Sequence, residues 1–138
     1  MDKLRRAIEA FTPSCEQECW DRELLLAVLC TLDTPLTREN PFAHFTASSW
    51  IVNPGRDRVL MAWHNIYRTW AWTGGHADGE SDLLAVALRE AREDQALRGK
   101  PDENSGVAWI PMDQIERFST EPEMWPIYRK LNAKLAAM

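Results

Sequence analysis

Glu90, Glu93 and Asp94 fall at spacing i, i+3, i+4 within the stretch 83–97. On a helix they share one face. Clustered carboxylates present hard oxygens, the donors that Mg2+ and similar cations take. The stretch Thr73-Gly74-Gly75-His76-Ala77-Asp78-Gly79-Glu80 runs directly into that segment. Paired glycines mark a backbone with positive φ or one that something approaches closely. A helix N-terminus offers its N–H groups to a phosphate. For the helix alone, a solvated acidic face neutralised by Arg89 and Arg92 is the plainer explanation. Gly74 and Gly75 shift the balance toward metal-assisted chemistry on a phosphate group.

Residues 75–97 resemble the Nudix box, G-x5-E-x7-R-E-U-x-E-E-x-G-U, where U is aliphatic. Gly75 fits the opening glycine, Arg89-Glu90-Ala91 fits R-E-U, Glu93 fits the next acid and Leu97 the final U. Three positions depart from the pattern. Ser81 stands at the first Glu, with Glu80 one residue early. Asp94 stands where the second Glu is usual, and Ala96 where the closing Gly is usual. The stretches 36–40, 44–53 and 100–109 also look like the lead-in strands and the late strand of a bacterial Nudix subgroup.

The resemblance implies an α+β fold. It would be a Nudix-like α/β/α sandwich with a mixed, shortened sheet: an N-terminal helical hairpin over 1–35 packs on a Nudix-like domain over 36–138. It implies a hydrolase that cleaves a diphosphate linkage in a nucleoside diphosphate derivative, with Mg2+ or Mn2+ as cofactor. Glu90, Glu93 and Asp94 would ligate the metal, Arg89 would orient a box carboxylate, and Gly74 and Gly75 would receive phosphate. Glu103, a few residues before Trp109, matches the place of an assisting acid outside the box. Glu93 or Glu103 would accept the proton of the attacking water. The competing expectation is a catalytically weak or inactive Nudix-fold module that binds a phosphorylated ligand or a protein, which the three departures favour.

Composition sets outer bounds. At 138 residues the chain is one domain's worth. A net charge of −5 disfavours nucleic acid polymers and anionic membranes as partners. No apolar run approaches the roughly 20 residues that span a bilayer, and the first residues lack the apolar core of a signal peptide. A cytoplasmic location is expected. Cys15, Cys19 and Cys30 make an odd count that suggests reduced thiols. A packing role for them is favoured over zinc.

Periodicity predicts a short helix over 2–11 and a second one opened by Ser14 with Gln17 as a capping box. A strand over 45–53 is expected to form a hairpin with 58–64 through the turn 53–57. Residues 67–73 lead into the box, and Ser81 or Asp82 caps its helix. A short strand over 107–110 and a last helix starting near Pro126 follow. Trp70 and Trp72 share a strand face, where aromatic residues are more often core than base-stacking. Arg38, Arg56 and Arg58 are phosphate candidates, though scattered surface arginines are commoner. Nine residues, 98–106, separate the box helix from the last strand. Strands of ~5 residues and loops of ~2–6 do not fit there twice. The sheet is therefore shortened, or a second copy of the chain completes it as a homodimer, or a stretch of the natural chain is absent from this sequence.

Overall fold

The computed structural model describes residues 1–95 and 104–138, without the side chains of Asp94, Gln95 and Asn104. The fold is α+β. In chain order come α1 (Asp2–Ala10), α2 (Glu16–Thr31), β1 (Thr46–Ser49), β2 (Arg58–His64) and β3 (Thr69–His76). Then follow α3 (Leu83–Gln95), β4 (Asn104–Pro111), α4 (Ile115–Phe118) and α5 (Trp125–Ala136), with 3-10 turns before α4 and α5. The four strands make one antiparallel sheet in the order β1-β3-β2-β4. The expected mixed sheet is thus corrected among the described residues.

The first helices follow the sequence signals with one shift. Cys15, not Ser14, is the N-cap of α2. Glu18 is then the third helical residue, and its Oε2 accepts from Ser14 N at 2.6 Å and from Ser14 Oγ at 2.8 Å. Gln17, the expected partner, donates to Asp21 instead. The three cysteines are exposed, so the packing role expected of them is overturned.

The expected hairpin between 45–53 and 58–64 forms only next to its turn. Strand β1 stops at Ser49, and the segment after it meets β2 through the bridge Val52↔Val59 and the main-chain bonds Leu60 N to Ile51 O and Asn53 N to Arg58 O. The ladder partners of β2 are β3, with Trp63 opposite Trp70, and β4, with Met61 opposite Ala108. The turn at 53–57 does form: Asn53 Oδ1 accepts from the main-chain N–H of Asp57 and Arg58, and Arg56 takes φ 54°.

Two compact units divide the chain: Met1–Ala47 with Gly75–Val86, and Ser48–Gly74 with Ala87–Met138. The first buries Leu4, Leu36, Phe45 and Ala77, with Ile8, Val28 and Leu29 of the two N-terminal helices against them. The second buries Val59, Met61, Ile110, Ile115 and Tyr128. Trp50 stacks on Tyr128 at 5.2 Å, and Trp72 meets it edge-on at 5.8 Å. Trp70 packs on the same core and meets Trp63 edge-on at 5.7 Å. Trp70 and Trp72 are therefore partly buried residues packed on the core. Pro126 falls in the first turn of α5, where its missing N–H leaves no bond unmade.

Candidate functional site

Gly74 and Gly75 lie within β3, which continues to His76. The positive φ expected of them occurs further on, at Asp78 (48°) and Gly79 (92°). The chain therefore reverses after the strand, not at the paired glycines. Main-chain bonds fix that reversal: Ala77 N donates to Phe45 O at 3.0 Å, Gly79 N to Leu36 O at 2.9 Å, and Glu80 N to Ala77 O at 2.9 Å. Asp78, in a left-handed conformation that Asp tolerates better than most residues, meets the guanidinium of Arg38 at 2.9 and 3.0 Å. Arg38 is thus engaged by a carboxylate in a two-point fork.

Asp82 caps α3. Its Oδ1 accepts from Ala85 N at 3.2 Å, and Val86 N closes the first turn onto Asp82 O. Its Oδ2 accepts from Lys3 Nζ at 2.7 Å. The hydrogen bond from Lys3, then that from Ala85, holds the Asp82 carboxyl below its ordinary range, and Asp82 in turn raises Lys3. Glu80 Oε1 accepts from Asp82 N at 2.8 Å. Glu80, one residue ahead of the first acid of the box pattern, thus braces the helix start.

Along α3 the less exposed side is Leu83, Val86, Ala87, Glu90 and Glu93, spaced as one helical stripe. Val86 is fully buried, and Glu90 is only 5% exposed. A carboxylate in a position that periodicity reserves for an apolar residue carries a desolvation cost unless it is paired. Its partner is the preceding residue: Arg89 Nη2 and Nε lie 2.9 and 3.2 Å from Glu90 Oε1. The structure thus brings Arg89 and Glu90 together. Glu93, half-buried, follows one turn later on the same side, and Arg92 is exposed.

Asp94 lies in α3 with its side chain outside the description, and Glu103 lies outside the described residues altogether. Among the described residues no group of three or more His, Cys, Asp or Glu side chains gathers as metal ligands.

One pairing escaped the sequence. His44 Nε2 and His76 Nδ1 share a hydrogen bond at 2.8 Å, with the rings 4.9 Å apart. They stand 32 residues apart, and no spacing rule links them. The signal is the strand register that places Phe45 O on Ala77 N. His64 meets Tyr67 at 4.5 Å with the rings tilted by 37°, across the β2–β3 turn.

Among the described residues no helix is long and apolar enough to cross a membrane. No protein-family model and no curated protein sequence matches the chain.

Proposed function

We propose that the chain is a Nudix-type hydrolase that cleaves a diphosphate linkage in a nucleoside diphosphate derivative, using Mg2+ or Mn2+. The observation that carries this reading is the placement of Glu90. A buried acid on the inner stripe of α3 is poorly explained by folding alone, because an aliphatic side chain there would be cheaper in desolvation. Its contact with Arg89 supports the reading, since the box resemblance implies that Arg89 orients a box carboxylate. Glu93 adds a second carboxylate one turn on, and Asp94 is the third acid of the same spacing.

The donor set suits a hard divalent cation, since every candidate ligand is a carboxylate. Glu90, Glu93 and Asp94 would hold it. When bound, such a cation neutralises diphosphate charge and lowers the pKa of a water. The chain's own residues do the rest. Arg89 fixes the Glu90 carboxylate through a charge-assisted contact. Glu93 or Glu103 takes the proton from the attacking water. Displacement at phosphorus asks mainly for positioning and charge stabilisation, which a helix-borne set of acids supplies.

A second reading is a Nudix-fold module that binds a phosphorylated ligand or a protein without turnover. It is favoured by Ser81, Asp94 and Ala96, the three positions that depart from the box pattern. One experiment separates the two: phosphate release from a panel of nucleoside diphosphate derivatives with Mg2+ or Mn2+. The enzyme reading expects metal-dependent release that falls by about 10²-fold or more in Glu93→Gln. Absence of turnover on every substrate, with retained ligand binding, decides for the module.

A further inference from the structure

Strand β4 is the outermost strand of the sheet on its side among the described residues. The ladder shows which of its main-chain groups are used. Leu60 N donates to Ile51 O, so the main chain of Leu60 faces away from β4. By alternation Val59, Met61 and Trp63 face it, opposite Ile110, Ala108 and Gly106. Met112 N donating to Asp57 O keeps the same parity. The main-chain groups of Val107 and Trp109 therefore point outward from the sheet.

Among the described residues that edge lacks the usual protections. Edge strands are normally blunted by charged residues or covered, yet residues 106–110 read Gly-Val-Ala-Trp-Ile. Trp109 is 40% exposed. Among the described residues one hydrogen bond reaches the edge: Arg58 Nη1 donates to Trp109 O at 3.4 Å, a long and exposed contact. The ends of the strand are marked. Trp63 opposes Gly106 while His64 opposes Asn104, so Ser105 is an extra, bulged residue. Pro111 has no N–H to donate.

We propose that β4 pairs antiparallel with β4 of a second copy, about a two-fold axis at Ala108. Val107 of each copy then faces Trp109 of the other, and each of these two pairs exchanges both main-chain hydrogen bonds. The indole lies beside a β-branched side chain on one sheet face, a favourable cross-strand combination. Shifting the register by two residues in one direction sets Pro111 against Val107, where a donor is needed. Shifting it the other way sets the bulged Ser105 against Trp109. The strand is thus self-complementary in one register, which is what an isologous two-fold contact requires. The pairing continues the sheet as an eight-stranded one across two copies.

Sedimentation equilibrium on the whole chain tests this, together with hydrogen exchange of the Val107 and Trp109 amides. The expected result is a concentration-dependent dimer in which both amides are protected. Val107→Pro removes one outward N–H and leaves the β2–β4 ladder alone, so it gives a monomer with unchanged far-UV circular dichroism. Trp109→Lys, which places a charge at an already exposed position, does the same and serves if the proline variant misfolds. A wild-type monomer at every concentration overturns the proposal, as does a dimer that survives both variants. Protected Val107 and Trp109 amides in a monomer overturn it too, since another part of the chain then covers the edge.

Discussion

Lys3 Nζ donates to Asp82 Oδ2 at 2.7 Å, so the first turn of α1 is tied to the carboxylate that caps α3. One side chain does two jobs here, with one oxygen on Lys3 and the other on Ala85 N. The two jobs are separable. Asp82→Asn keeps an acceptor for Ala85 N, because Asn caps as well as Asp, and loses the charge together with the oxygen that meets Lys3. Asp82→Ala loses the acceptor for Ala85 N as well. The thermal midpoint should fall slightly in the first variant and by several degrees in the second. The pH dependence follows from the signs. Asp82 is held below its ordinary value, so its contribution is present above that value and fades as pH falls through the lowered one. Lys3 is raised, so its share is present below its ordinary value and is lost as pH rises through the raised one. Thermal melts at a series of pH values should show a larger acid loss in wild type than in Asp82→Asn, where Glu116, held low by Arg129, still contributes.

The glycines separate in the same manner. Gly79 has φ 92° with no atom within 4 Å of a built Cβ, so only backbone strain opposes a side chain. Gly79→Ala should cost about 1 kcal/mol in denaturant unfolding. Gly75 lies in extended β3, where alanine is conformationally acceptable. Gly75→Ala should therefore leave folding almost unchanged. If it also leaves substrate KM unchanged, the role of Gly75 in receiving phosphate is refuted.

What the sequence made legible was local. The two N-terminal helices, the Asn53–Asp57 turn, the Asp82 cap and the start of α5 at Trp125–Pro126 each rest on contacts within a few residues. Those contacts are written in residue type. The pairing of strands was not legible. The segment 45–53 alternates like a strand, yet Trp50 turns inward onto Tyr128 and the strand ends one residue earlier. β2 pairs along its length with β4, where Val59 stands opposite Ile110, and with β3, which residue type does not specify. The glycine bend was misplaced for a related reason. Gly74 and Gly75 follow the aromatic run and extend its strand, while the Arg38–Asp78 fork, 40 residues apart, fixes the bend beyond them. Of the candidate site, the box resemblance implies that Arg89 orients a box carboxylate, and the structure pairs Arg89 with Glu90. The inward position of Glu90 agrees with the period of α3, whereas the His44–His76 pair has no sequence signature.

Glu90 offers a test in which stability and function move apart. It is nearly buried, and the Arg89 side chain that meets it is 40% exposed. Replacing a buried ion-paired group with an apolar one of similar size is often neutral or favourable. Glu90→Leu should thus hold or raise unfolding stability, by up to about 1 kcal/mol, while removing metal-dependent turnover. Arg89→Ala should do the opposite to stability, since it leaves the Glu90 carboxylate without this partner. The expected loss is about 1–2 kcal/mol, discounted because Arg89 is partly solvated. Urea unfolding of both variants, set beside their phosphate release, checks the pair. If Glu90→Leu loses stability as Arg89→Ala does, Glu90 is a structural residue and the metal-ligand reading is refuted.

Tyr128 gives the alkaline counterpart. Its ring sits between Trp50 and Trp72 in the second unit's core, and burial pushes its phenol above the ordinary 10.0. A raised folded value means that its contribution is intact below the unfolded value and is lost as pH rises through the folded one. Unfolded chains ionise the phenol first, so alkali draws the equilibrium toward them. Tyr128→Phe keeps the ring against both indoles and has no proton to lose. Its unfolding free energy should fall less steeply above pH 10 than that of wild type, with little difference near neutrality. Lys3 adds an alkaline loss of its own in both proteins, so the difference between the two curves isolates the phenol. Parallel curves would show that Tyr128 titrates alike in the folded and unfolded chains.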